Sequence, residues 1–298
     1  MKKPKTHILF ITPGFVLYTI FVVFPIFYVL YLSLFEWSGL GPMNFIGINN
    51  FITLFTNERV APTVFHALLN NLKYLLCMWF IITPFQYIVA YLLFIRIPAY
   101  RYIKFMIFLP YVVSLTIISF FATLIFNPNI GILNSILESM GFAGGAWFGD
   151  TRWSFKLLVF LILWQGAGSG IMIFYSNMLD ISQDIMDACR IDGCKEWHRF
   201  FYIFLPLSLP ACASIITMST IWALALFDLP FILGGSNGGV SGSLDFVNIV
   251  FYRYTFGTAM QGRSDLGFGA SICAAMFIVM MLITFLQNKL LSMFEYEN

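Results

Sequence analysis

Charge is scarce in this sequence. Of 298 residues only 10% are Asp, Glu, Lys or Arg, while 60% are hydrophobic and Phe alone occurs 35 times. An ordinary soluble domain carries about 25% charged residues, and a single soluble core cannot hide this much apolar surface. The composition excludes a soluble enzyme, a disordered chain and a free nucleic-acid binder, and it indicates an all-α integral membrane protein. Histidine is rarer still. His7, His66 and His198 are scattered and form no metal or acid–base cluster. The five cysteines, Cys77, Cys189, Cys194, Cys212 and Cys273, suggest neither a structural disulfide nor a zinc site, because Cys189 and Cys194 stand five apart with no paired His nearby. A G-x-x-x-x-G-K-[ST] phosphate loop is absent. No catalytic residue, bound metal or cofactor is expected on this chain.

The charges that are missing define the membrane segments. Charge-free runs at 8–35, 74–95, 105–137, 157–179, 200–227 and 266–288 each exceed the roughly 20 residues that cross a bilayer as a helix. They place six spans at about 8–34, 71–95, 104–126, 155–177, 205–228 and 267–290. A further run, 37–57, is rejected because its Gly, Pro and Asn would leave backbone groups unpaired in lipid. Lys73 sits at the lip of the second span, where it can snorkel. Lys2, Lys3, Lys5, Arg96, Arg101, Lys104, Arg190, Lys195, Arg199 and Lys289 fall on one side, which is ten of the 16 basic residues. The positive-inside rule assigns that side to the cytoplasm, with tails 1–7 and 291–298 in the cytoplasm of a multi-pass cell-membrane protein.

One loop gathers what the spans lack. Residues 180–199 read DISQDIMDACRIDGCKEWHR and hold eight of the chain's 30 charges. Ser182 suits an N-cap. Asp184 and Asp187 fall where a helix start favours anions. Asp187 and Arg190 can pair three residues apart, and Gly193 suits a left-handed stop. Ile181, Ile185, Met186 and Ile191 give this short helix an apolar stripe, while Ala188, Cys189 and Cys194 are small. From the residues alone, a docking element for a partner protein and a solvated loop remain equally open.

The letters decide between them by resemblance. MDACRIDGCKEWHRFFYIFLPLSLP resembles the EAA loop of the integral-membrane subunits of ABC importers. Asp187, Ala188 and Cys189 stand at the acid-small-small positions, Asp192 and Gly193 at the Asp-Gly pair, and Leu205 and Pro206 at the closing Leu-Pro. Asp187 and Cys189 depart from the usual Glu and Ala but keep charge and small size. The first span with its mid-helix Pro25, the following FIGINNF, and the segment LGGSNGGVSGSLDFVNIVFYRYTF are similar to the first permease of a sugar importer's pair.

The resemblance implies a type I ABC importer permease fold with a cytoplasmic coupling helix in the loop 180–206. It implies Asp184, Met186, Asp187, Ala188, Cys189, Arg190, Ile191, Asp192, Gly193 and Pro206 as the coupling residues. It implies as partners a second homologous permease, cytoplasmic ATP-binding subunits that hold ATP and Mg, an external solute-binding protein, a sugar substrate and membrane lipid. No nucleic acid is expected. The Gly-rich run at Gly234, Gly235, Gly238, Gly239 and Gly242 reads as a flexible external loop or as a segment meeting the binding protein.

Polar groups in spans are costly and tend to face a cavity or another helix. Gln165, Gly166 and Ser169 in the fourth span, with Ser219 and Trp222 in the fifth, supply hydrogen bonds and an aromatic platform for a sugar. Helix packing is the competing reading for the small residues. Gln86 and Tyr87 are weaker candidates, and Pro84 nearby suggests a bend. A permease for a non-sugar solute stays open. An ion-coupled secondary transporter is disfavoured because the span centres carry no ionisable residue. A membrane-embedded hydrolase is disfavoured because all three histidines lie outside the spans.

Overall fold

A computed structural model describes residues 5–257 and 264–291, with side chains from Phe10 onward. Lys2, Lys3 and Arg263, and most of the assigned tails 1–7 and 291–298, lie outside the described residues. Among the described residues, five helices are long and apolar enough to cross a membrane: Phe10–Leu32, Val60–Phe94, Thr151–Leu179, Leu209–Gly234 and Leu266–Leu291. The pair Tyr100–Val112 and Leu115–Ile125, counted as one crossing, makes six.

One span lies in a longer helix than the segment assigned to it, and two others are broken. The helix that holds the second span begins at Val60, ahead of the assigned 71. Its 35 residues make a rod of roughly 50 Å, longer than the hydrocarbon is thick. The third span is not straight but bends by 95° between its two helices. Val113 and Ser114 are extended there, and the Ser114 hydroxyl caps the second helix by accepting from the amide of Ile117 at 3.4 Å. The fifth span is helical over Leu209–Leu224, breaks, and resumes over Asp228–Gly234.

Prolines shape the spans in a common way. Widened π turns occupy Thr19–Val23, Met78–Ile82 and Arg199–Phe204. Each ends two residues before a proline: Pro25, Pro84 and Pro206. A helical proline has no N–H for the carbonyl four residues back, and its ring crowds that carbonyl. The carbonyls concerned belong to Phe21, Phe80 and Tyr202, one inside each π turn, so the wider turn absorbs the clash.

The chain forms two compact units, Met1–Phe65 with Val250–Ile278, and His66–Ile249 with Val279–Asn298. In the first, the rejected segment 37–57 is indeed not a span. Phe35–Glu36 pairs antiparallel with Asn44–Phe45, and a short helix, Asn49–Thr56, follows. The buried Asn50 amide donates to the carbonyls of Ser33 and Phe35, both at 2.9 Å. The amide of Leu266 donates to Trp37 O at 2.8 Å, fixing the start of the sixth span.

In the second unit, buried side-chain amides satisfy backbone groups where helices break. Asn71 donates to Ala223 O at 2.8 Å and accepts from the amide of Val247 at 3.0 Å. Such pairing is obligatory at membrane depth, where no water can replace it. The Gly-rich segment folds on itself through backbone hydrogen bonds. Gly238, Gly239 and Gly242 all have positive φ, Gly239 N donates to Gly234 O at 2.7 Å, and Leu244 N donates to Gly238 O at 2.8 Å. The loop closes around Asp245, whose carboxylate occupies the space a side chain at Gly238 would need.

Candidate coupling site and solute path

The charged loop builds a helix over Gln183–Ile191 with Asp184 in its first turn and Arg190 in its last. Ser182 occupies the N-cap position, but its hydroxyl makes no capping hydrogen bond. Arg190 and Asp187 pair at 2.9 Å on the exposed face. The helix stops as the Asp-Gly pair suggested. Gly193 has φ +68°, its amide donates to Arg190 O at 3.2 Å, and the Cys194 amide donates to Cys189 O at 3.0 Å. These two bonds are the Schellman closure, which brings together the side chains at positions 189 and 194. Cys189 and Cys194 are therefore the small pair of a helix stop. Among the described residues no group of His, Cys, Asp and Glu has metal-binding geometry. Burial pushes the Cys189 thiol up from its ordinary pKa, and the neighbouring Cys194 thiol adds to the shift.

The apolar stripe divides in two. Met186 is buried, together with the small Cys189, whereas Ile185 is half exposed and Ile191 is 87% exposed. With Asp184, Asp187, Ala188, Arg190, Asp192 and Gly193 also exposed, the outer face combines charges with one large apolar side chain.

Behind that face lies a tether that the sequence did not suggest. Tyr91, near the C-terminal end of the second span, donates to Glu196 Oε2 at 2.8 Å. Glu196 pairs with Arg199, and Arg199 Nη2 approaches Met186 Sδ at 4.0 Å. One helical turn before Tyr91, Tyr87 donates to Phe200 O at 3.1 Å. Tyr87, Tyr91, Phe174, Phe204 and Met186 share one buried apolar cluster. Beside it a cavity of about 340 Å³ is lined by Trp79, Pro84, Tyr87, Phe200 and Cys212, among others. Pro206 follows the π turn and is exposed.

The solute-path candidates have distinct surroundings. Gln165 Nε2 donates to Val113 O at 3.2 Å, satisfying the carbonyl left free where the third span breaks. The Ser169 and Ser219 hydroxyls donate to their own helices, to Gly166 O at 3.0 Å and Ile216 O at 2.9 Å. Trp222 is 68% exposed. Gly166 has open space where a side chain would project, whereas Gly168 abuts Ile107 O and Tyr111, and Gly170 makes room for Gln86. Gln86 is buried and donates to Ala167 O at 3.2 Å. A second polar network joins three spans. Trp79 Nε1 donates to Thr220 Oγ1 at 3.2 Å, Thr220 Oγ1 to Gln287 Oε1 at 2.7 Å, and Gln287 Nε2 to Thr217 Oγ1 at 3.0 Å.

Comparison with known proteins agrees with this architecture. The family described as "Binding-protein-dependent transport system inner membrane component" matches residues 82–293. The probable ABC transporter permease protein YurN of Bacillus subtilis is 29% identical, with 94% of each chain covered. The arabinooligosaccharides transport system permease protein AraP of the same organism is 27% identical over 99% of this chain and 91% of its own. The lactose transport system permease protein LacF of Rhizobium radiobacter is 27% identical over 94% and 91%. Among solved structures, a bacterial ABC transporter involved in the import of the acidic polysaccharide alginate has a similar fold. Its TM-score is 0.77 at 18% identity, covering 95% of this chain and 94% of that chain.

Proposed function

The chain belongs to the family of binding-protein-dependent transport system inner membrane components, and on that premise we propose that it forms, with a second homologous permease, the membrane path of an importer for a sugar or oligosaccharide. An external binding protein delivers the solute, and partner ATPases, which hold ATP and Mg, supply the energy. Both termini face the cytoplasm. The relatives whose names give a substrate, AraP and LacF, support the substrate class.

The observation that carries the reading is the loop helix Gln183–Ile191, anchored from behind by Met186 and Cys189 and free in front at Asp187, Arg190 and Ile191. An exposed charged face with a single apolar anchor suits a groove on a partner. ATP binding closes the ATPases, the loop helix moves with them, and the spans shift between inward-open and outward-open arrangements. Gln165, Gly166, Ser169, Ser219 and Trp222 lie along the solute path.

Reconstitution of the four components in proteoliposomes tests this. Uptake of a labelled oligosaccharide should require ATP inside and binding protein outside. Deletion of residues 184–193 should leave a membrane-inserted chain that no longer co-purifies with the ATPase. Normal uptake by that deletion would reject the coupling assignment. Uptake of only non-carbohydrate solutes would reject the substrate class.

A further inference from the structure

We propose that Tyr91 is a positioning residue that hands the movement of the loop helix to the second span. This deepens the importer reading and rests on it. The loop helix reaches the rest of its unit through few groups, since of its nine residues only Met186 and Cys189 are buried. Apolar contacts of that size slide readily, because dispersion has little directionality. A transmitted displacement needs directional bonds, and these converge on Tyr91.

The chain of contacts is continuous. Met186 Sδ lies 4.0 Å from Arg199 Nη2, Arg199 pairs with Glu196, and Glu196 Oε2 accepts from Tyr91 Oη at 2.8 Å. The Glu196 carbonyl also lies within reach of the same phenol, at 3.2 Å. Tyr91 is only 5% exposed, and the Arg199 side chain is 16% exposed. The Arg199 guanidinium is thus shielded from water while the Glu196 side chain is 59% exposed, so the buried phenol, more than the ion pair, gives the link its rigidity. Tyr87, four residues earlier on the same helix face, fixes the Phe200 carbonyl. The two phenols grip the segment at both ends of Glu196–Phe200. Because that segment runs into the π turn before Pro206, a pull on it also reaches the fifth span.

Tyr91→Phe removes one oxygen and leaves the ring packing intact. In the reconstituted complex it should co-purify with the ATPase within about twofold of the unaltered chain. The solute imported per ATP hydrolysed should fall at least about fivefold, the scale of one lost hydrogen bond to a partner that stays in contact with water. The double variant Tyr91→Phe with Glu196→Ala should be worse than Glu196→Ala alone by less than Tyr91→Phe costs by itself, because the carboxylate link is already broken and only the longer bond to the residue-196 carbonyl remains to be lost. An unchanged ratio of transport to hydrolysis in Tyr91→Phe overturns the proposal. So does loss of the assembled complex, which would make Tyr91 a folding residue. Failure of the unaltered chain to bind any ATPase would instead reject the importer reading beneath it.

Discussion

The Cys194 amide donates to the Cys189 carbonyl at 3.0 Å across Gly193, which has φ +68°. The geometry explains an Asp-Gly pair in a charged loop, because the chain must turn back within one residue to leave the outer face clear. A β-branched residue at 193 would strain this left-handed backbone by about 1–2 kcal/mol. Gly193→Val should therefore insert normally but retain the ATPase severalfold less well in pull-downs. Gly193→Asn, which tolerates the same conformation, should keep most of the binding.

Gly267 meets a harder obstacle than strain. A side chain there would place its Cβ 1.9 Å from the Phe35 carbonyl oxygen, a backbone atom that already accepts from Asn50. Backbone cannot swing aside as a side-chain tip can. Gly267→Ala should destabilise the protein by at least the 1–3 kcal/mol typical of overpacking, seen as a lower melting temperature in detergent. Gly166→Ala is the control, since a side chain there meets nothing within 4 Å.

Much of this was written in the one-dimensional pattern. Six apolar segments, the charged loop and its Gly193 stop follow from where charge and glycine fall, because lipid and left-handed backbone tolerate few alternatives. The bend at Val113–Ser114 did not follow. Its partner, Gln165, lies 52 residues away, and the single hydrogen bond between them leaves no periodic trace. Tyr91 was hidden for the same reason. In a span so rich in aromatics, one phenol among several stands out only when Glu196 is folded against it. Ile191 shows the converse, since the letters put it in one apolar stripe with Met186, whereas the helix buries Met186 and turns Ile191 outward.

The two loop cysteines should differ in reactivity. Cys189 is buried and its thiol pKa is raised, so less of it is thiolate near neutral pH. Cys194 is partly exposed. A polar maleimide should label Cys194 at least about tenfold faster than Cys189, read by mass spectrometry of the digested protein. The Cys189 rate should keep climbing as pH rises beyond the ordinary thiol range, because a raised pKa delays formation of the reactive anion. Equal labelling at neutral pH would show that the Schellman closure opens freely.

Gln165 and Trp222 separate two roles that the sequence ran together. Gln165 already serves Val113 O, so Gln165→Leu should weaken the bend in the third span and lower the melting temperature by a few degrees, the effect of about 1 kcal/mol. Trp222 is 68% exposed and, among the described residues, makes no hydrogen bond or ring contact. Trp222→Ala should thus leave thermal stability nearly unchanged. If its ring stacks on the solute's apolar face, the apparent KM for uptake should rise at least about threefold, from an aromatic contact worth about 0.5–1.5 kcal/mol. A variant that loses the second permease instead, with KM unaltered in whatever complex remains, would place Trp222 in the subunit interface.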